Sequence, residues 1–357
     1  MTKNIKRVVF VINDLKGNGA ERVVLTLADQ FMEQGHQCHI VCFKPLRELP
    51  SRNSLNIHHF KQYYRWIPRV WRGAIVARFL DAFIKKNIGT PDLVLSNLLP
   101  ADRVLSHSRL LNVFLIIHNT MSLERFSGAP PQHSKHYTEL KKIYTTKPTV
   151  CVSKGVMEDF INVFNPHLTT TSIYNPIDAT FVRSQSQQSN SITYSNYLVC
   201  VAKFNSAKRH DILIQAYAKS GVTLPLVLVG QGPLKEQTMQ LVDHLRLSDR
   251  VIFAGFHSNP YPIIKNATGL IVPSDYEGLG MVILEAIALG TPVISTDCPS
   301  GPNEILPAKN LSPVQDIDAL AHNITQLSRN PDAYVIELGS HFSPEFASKR
   351  YLDLITH

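Results

Sequence analysis

Apolar positions follow two alternating rhythms along this chain. Short, β-branched runs without polar alternation fall at 7–12, 38–43, 93–96, 113–117, 149–152, 198–202, 226–229, 251–253, 269–272 and 292–295. Such runs predict strands buried on both faces. Between them, apolar residues recur at three- and four-residue steps over 20–34, 73–87, 135–144, 154–163, 208–219, 233–246, 278–289 and 316–329. That spacing predicts helices with one buried stripe. Repeated strand–helix units of this kind predict parallel sheets covered by helices on both sides.

The rhythm breaks near the middle. "RSQSQQSNSITYSN", residues 183–196, is polar and low in complexity, so it is expected to contribute nothing to a core. An Asn-Pro turn, "NPID" at 175–178, precedes it. With 357 residues the chain exceeds one compact core. The expectation is two doubly wound α/β domains of similar size, their parallel sheets facing a cleft between them. Ligands of such sheets bind at the carboxyl ends of the strands.

Bulk properties narrow the class. Apolar residues make up 44% and charged residues 18%, ordinary for a globular protein. No apolar run approaches the roughly 18 to 20 residues a membrane helix needs. "VVFVI" is too short for a signal-peptide core and ends at Asn13-Asp14, which reads as a cytoplasmic chain. Cysteines 38, 42, 151, 200 and 298 form no CxxC pair and read as buried, reduced thiols. Lysine and arginine exceed aspartate and glutamate, 36 to 28. The surplus favours an anionic partner without choosing among nucleic acid, acidic lipid and phosphorylated small molecules.

Glycine-rich turns carry the first candidate chemistry. Strand 7–12 runs into Gly17-Asn18-Gly19 and then a helix. A dinucleotide fingerprint wants a third glycine where Arg22 stands, and a carboxylate at the end of the second strand, where the chain reads "HIVCFK". Hydride transfer is therefore excluded. What remains is either a tight turn or a helix start that favours an anion.

The C-terminal half is richer. In "VAKFNSAKRHDILIQA", Lys203 and Lys208 flank a loop between a strand and a helix. Two ammonium groups there could neutralise a diphosphate, or could simply be solvated. In "LVGQGP", Gly230 and Gly232 open a backbone to close approach. In "SDYEGLGMVILEAIALGTPVI", Gly278 and Gly280 are expected to open a helix whose first N–H groups face phosphate oxygens. Glu277 and Glu285, eight positions apart, would then share a helix face within roughly 80°. The carboxylate beyond the glycines suits a ribose diol, and the one before them suits sugar hydroxyls. Val282, Ile283, Leu284 and Ile287 read as core. "CPSGPNEIL" adds a tight turn at Gly301-Pro302 with Glu304 behind it.

"EGLGMVILEA", "LGTPVISTDCPSGPNEIL", "LVGQGP", "IYNPID" and "GNGAERV" resemble, in order and over most of the chain, the motifs of glycosyltransferase family 4. Those are retaining nucleotide-sugar transferases of GT-B fold. The resemblance implies an acceptor-side domain at 1–178, with a C-terminal helix at 343–357 packing back on it. It implies a donor domain at 179–342. It places Glu285 on the nucleotide ribose and Glu277 on the donor sugar. It puts Lys203 and Lys208 on the diphosphate, and Gly278, Leu279, Gly280, Met281 and Val282 around sugar and phosphate. Gly230 and Gly232 join the donor site. Gly17 and Gly19 would cover the diphosphate, and His118 in "IIHNT" would lie beside the reacting sugar. Two departures stand out: Ala202-Lys203 replaces the family's glycine and arginine, and "PAKNLSP" after Glu304 lacks its glycine-and-leucine stretch. Lysine keeps the charge but loses the planar fork.

The implied activity moves a hexose or N-acetylhexosamine from a nucleotide sugar, UDP first among them, to a lipid-linked or other saccharide acceptor in surface polysaccharide or lipopolysaccharide synthesis. No cofactor is expected, and without a well-placed DxD-like pair no metal either. Lysines and a helix N-terminus would stabilise the leaving diphosphate. Attack from the front face, with that phosphate taking the acceptor's proton, accounts for retention without a nucleophilic carboxylate. Residues 58–86 mix Tyr63, Tyr64, Trp66 and Trp71 with Arg65, Arg69, Arg72, Arg78, Lys85 and Lys86. That mixture suits an anionic membrane surface, with the enzyme peripheral to the inner face. It equally suits a core-packing helix with a solvated basic face. No nucleic-acid motif accompanies it, so no nucleic acid is expected. A same-fold nucleotide-sugar hydrolase or epimerase, and an inactive sugar-nucleotide-binding scaffold, are the competing readings.

Overall fold

The structure is a computed structural model describing residues 4–17, 19–46, 54–61, 67–189, 192 and 194–355, without the side chains of 69 and 70. Two compact units divide the chain, one of Met1–Pro176 with Ser340–His357, the other of Ile177–Gly339.

In the first unit the described residues form a seven-stranded sheet of β1 (Arg7–Ile12), β2 (Gln37–Cys42), β3 (Asn56–His59), β4 (Leu93–Asn97), β5 (Val113–Ile117), β6 (Thr149–Cys151) and β7 (Thr170–Ser172). The order is β3-β2-β1-β4-β5-β6-β7 and every pairing is parallel. Val8 to Ile12 are buried without alternation, as a strand covered on both faces requires. Helix Gly19–Glu33 lays Val23, Val24, Leu27, Ala28 and Phe31 on the core, the three-and-four spacing that made it legible. Its outer side receives helix Pro344–Asp353, and Gln34 Nε2 donates to Ser348 Oγ at 2.8 Å.

The second unit holds β8 (Leu198–Val201), β9 (Leu226–Val229), β10 (Val251–Gly255), β11 (Gly269–Val272), β12 (Val293–Thr296) and β13 (Leu311–Ser312). The order is β10-β9-β8-β11-β12-β13, again parallel throughout. Leu198, Cys200, Leu228, Ile271 and Ile294 pack with Leu213 and Tyr217 of helix His210–Ser220 and Leu320, Ile324 and Leu327 of helix Ile317–Arg329. In each unit the order reverses beside its first strand, between β1 and β4 and between β8 and β11. Those are the switch points at which doubly wound sheets bind ligands.

Three expectations are corrected. Strands β3, β7 and β13 were not legible; they are short edge or next-to-edge strands with few buried apolar residues. The polar stretch 183–196 is not wholly outside a core. Helix Ala179–Gln185 enters it, packs on helix Met281–Leu289, buries Val182, and donates from Arg183 Nε to Ala288 O at 2.8 Å. Residues 190, 191 and 193 of that stretch lie outside the described residues. Helix 278–289 begins only at Met281, because Gly280 takes a left-handed φ of 88°. All five cysteines are free and buried. No helix among the described residues is long and apolar enough to cross a membrane, and no cluster of three or more metal-ligating side chains occurs among them.

Candidate functional site

In the second unit, the loops leaving β8 and β11 meet at the switch point. Asn205 caps the short turn Ser206–Lys208, its Oδ1 accepting from Lys208 N at 3.2 Å. This directs Lys208 to the β11 loop, where its Nζ lies 2.5 Å from Glu277 Oε1. The same oxygen accepts from Ser274 Oγ at 2.7 Å. Glu277 is buried and Ser274 fully so, and a carboxylate in such a place is tenable because both donors satisfy it. The backbones are joined as well, Asp275 N donating to Ala207 O at 2.8 Å. Next to this pair, Arg209 holds Asp211 and Asp275.

Glu277 and Glu285 do not share a helix face as the spacing predicts. With the helix starting at Met281, Glu277 stands on the preceding loop and Glu285 in the second helical turn. Glu285 is 5% exposed on a helix whose Ile283, Leu284, Ala286 and Ile287 are buried. A carboxylate in so apolar a setting is seldom kept for packing. The first-turn N–H groups of Met281 and Val282 have no intrahelical acceptor. Gly278 and Leu279 belong to the loop, which is covered from the β12 side. A β-carbon on Gly301 (φ 92°) would stand 2.5 Å from Leu279 O.

Gly230 and Gly232 admit a neighbouring backbone. β-Carbons there would stand 2.0 Å from Ala202 O and 2.3 Å from Phe204 O, so the β9 loop is pressed against the β8 loop that carries Lys203 and Lys208. Lys203 is exposed. Behind the loop, His210 stacks on Phe204 with centroids 4.1 Å apart, and burial pushes its pKa down to about 4. Burial likewise pushes the thiols of Cys200 and Cys298 up to about 12, so neither supplies a thiolate at neutral pH.

In the first unit, β1 leads to Gly17 (φ 114°), and Gly19 is the first residue of helix Gly19–Glu33. Asn18 lies outside the described residues. On the neighbouring strands, β4 ends at Asn97 and β5 delivers His118. Asn97 Nδ2 donates to Leu95 O at 3.0 Å, which leaves Oδ1 to face His118 Nε2 at 3.0 Å. Nε2 therefore donates and Nδ1 carries the lone pair, with no hydrogen-bond partner among the described residues. Burial pushes this imidazole down to about 4, so it is neutral at pH 7. Asn97 escaped sequence reasoning, as did Ser96, whose Oγ donates to the buried Asp102 at 2.6 Å.

The basic stretch 58–86 is partly described; Tyr63, Tyr64, Arg65 and Trp66 lie outside the described residues, as does the side chain of Arg69. Helix Arg69–Asn87 buries Val76, Ala77, Leu80 and Ile84 and exposes Trp71, Arg78, Phe79, Lys85 and Lys86. Arg72 donates to Ile67 O at 2.9 Å. The helix thus has one face in the core and the other exposed, basic and aromatic.

Residues 17–181 match the family described as Glycosyltransferase Family 4, and residues 182–340 match Glycosyl transferases group 1. The chain belongs to glycosyltransferase family 4. Over 154 residues it is 30% identical to N-acetylgalactosamine-N,N'-diacetylbacillosaminyl-diphospho-undecaprenol 4-alpha-N-acetylgalactosaminyltransferase of Campylobacter jejuni, covering 43% of this family 4 chain and 42% of that protein. Over 161 residues it is 29% identical to lipopolysaccharide 1,6-galactosyltransferase of Salmonella typhimurium, covering 44% and 45%. The matched stretches thus span less than half of either relative. Anabaena HepE, solved in complex with UDP and glucose, superposes with a TM-score of 0.76 at 17% identity, over 98% of this chain and 99% of that one. That likeness gives the family 4 chain the GT-B fold.

Proposed function

We propose that this family 4 chain is a retaining glycosyltransferase. It moves a hexose or N-acetylhexosamine from a UDP-sugar to a lipid-linked saccharide in surface polysaccharide or lipopolysaccharide synthesis. The observation that carries the reading is the half-buried Lys208 paired with the buried Glu277 and Ser274 at the β8/β11 switch point, shortly before helix Met281–Leu289. One cation, one carboxylate and a nearby helix N-terminus are groups that a sugar diphosphate would need, which supports the reading. Transfer builds negative charge on the leaving diphosphate, which Lys203, Lys208 and the N–H groups of Gly280 to Val282 would stabilise. Glu277 would accept from donor-sugar hydroxyls and Glu285 from the ribose diol. Gly17 and Gly19 would close over the diphosphate. His118 would lie beside the reacting sugar. The acceptor's proton would leave on the phosphate.

The acceptor class rests on the relatives, one named for a diphospho-undecaprenol acceptor and another for lipopolysaccharide. The exposed Trp71, Arg78, Phe79, Lys85 and Lys86 would seat the enzyme on an anionic inner leaflet. The test is incubation with a panel of nucleotide sugars and lipid-linked oligosaccharides, scoring nucleotide release and the anomeric configuration of the product by NMR. An inverted product, or UDP release with sugar appearing only as free hexose, would overturn the reading. Co-sedimentation with phosphatidylglycerol vesicles at low salt tests the membrane part; no binding there would remove it.

A further inference from the structure

We propose that Arg209 is a positioning residue: it aligns Lys208 with Glu277 by locking the β8 loop to the β11 loop, an inference that rests on the donor-site reading above. Its backbone sits at φ 40°, ψ 49°, in the left-handed region where a β-carbon is unfavourable and glycine is the default. A long side chain retained in such a conformation points to work done by that side chain.

The guanidinium makes four contacts to two carboxylates. Nε and Nη2 donate to the two oxygens of Asp211 at 3.0 and 2.8 Å. Nη1 lies 3.1 and 3.0 Å from the two oxygens of Asp275. Asp275 also takes Gln315 Nε2, 3.2 Å from each oxygen, and Gln315 is itself left-handed at φ 61°. Three segments, following β8, β11 and β13, therefore converge on one carboxylate, and two of them reach it from strained backbone.

The consequence lies one and two residues away. Lys208 precedes Arg209, and Glu277 follows Asp275 at the second position. The ion pairs Lys208–Glu277 and Arg209–Asp275 thus run side by side between the same two loops, with Asp275 N on Ala207 O between them. Because Nε, Nη1 and Nη2 each donate to Asp211 or Asp275, Arg209 acts chiefly through Lys208. The planar fork is what allows one side chain to grip two carboxylates; a lysine ammonium cannot do so with the same geometry.

Arg209→Gly tests this directly, since glycine accepts the left-handed backbone and only the guanidinium is lost. The melting temperature should hold or rise. The kcat for nucleotide release from the accepted UDP-sugar should fall about tenfold, the scale of losing an outer support of a reactive side chain. UDP affinity by calorimetry should stay within about twofold. Arg209→Lys should recover part of the kcat. Asp275→Asn should lose as much, and the double variant no more than either alone, because the two act as one contact. If Arg209→Gly lowers the melting temperature, Asp275→Asn becomes the deciding variant. The proposal is overturned by an unchanged kcat, or by UDP affinity falling as far as kcat, which would make Arg209 a direct ligand. Glu277→Ala runs alongside as the control. Full turnover in that variant would sink the donor-site reading itself, whatever Arg209 does.

Discussion

The two sheets share the order of their first six strands, yet a junction at the strand ends of one differs in chemistry from a junction in the other. Where β8 and β11 end, the loops are joined by ion pairs, Lys208 with Glu277 and Arg209 with Asp275. In the first unit, one strand along from the β1/β4 switch point, the junction where β4 and β5 end is a neutral hydrogen bond from His118 to Asn97. The β8/β11 junction thus presents charge, and the β4/β5 junction a neutral donor and acceptor. Charge is what a leaving diphosphate responds to. A neutral imidazole and amide can only read hydroxyls, and do so without adding field. The sharpest way to break this contrast is to remove one group from each. Lys208→Met should lower kcat for UDP release about 100-fold or more, the scale of losing a preorganised electrostatic contact. His118→Ala should lower it about tenfold, the scale of one neutral hydrogen bond. Equal losses would mean that the first unit carries charge stabilisation as well.

That contrast was only half legible in the sequence. Strands and helices with continuous burial or a three-and-four rhythm stood out, and so did the doubly wound class. The edge strands did not, since Asn56–His59 and Thr170–Ser172 offer almost no apolar pattern. The residue types Lys208, Glu277 and His118 could be picked out because glycine turns and strand ends surround them. Their partners could not. Arg209 and Asp275 are 66 positions apart, and Asn97 and His118 are 21 apart, so nothing local links them. The error over Glu277 has a plain cause: eight-residue spacing was read as helical throughout, whereas left-handed Gly280 ends the helix backwards at Met281.

A second contrast concerns how each unit uses glycine. Gly230 at φ 148° has Ala202 O where a β-carbon would go, while Gly128 at φ 135° has nothing within 4 Å. Gly230→Ala should therefore combine steric overlap with strain and destabilise by about 3 kcal/mol or more. Gly128→Ala should show strain alone, about 1 kcal/mol. Thermal unfolding followed by circular dichroism measures both. A mild Gly230→Ala would show that the β8 loop can retreat, and with it Lys208, which weakens the view that this junction is rigid.

A further contrast separates the units by their proton chemistry. His210 in the second unit is held neutral down to about pH 4, whereas an unfolded histidine titrates near 6.5. Below 6.5 the unfolded chain takes up a proton that the fold refuses, so this residue's contribution to stability falls as pH falls towards 4. His118 in the first unit works in the same direction. There, however, burial raises the Asp102 carboxyl to about 8, so the fold keeps a proton that the unfolded chain releases above about 4. Stability from that group is full at low pH and is lost as pH rises towards 8. The two effects oppose each other in the first unit, and His210 has no such counterweight of its own size in the second. His210→Phe, which preserves the stack on Phe204, should therefore gain on the parent chain by about 2 kcal/mol between pH 7 and pH 5. Asp102→Asn should gain instead as pH rises from 5 to 8. If the His210→Phe advantage stays constant across that window in calorimetry, a ring nitrogen accepts a proton within the fold. The second unit would then carry a further cation beside Lys208, and the contrast between the two junctions would be larger than the ion pairs alone make it.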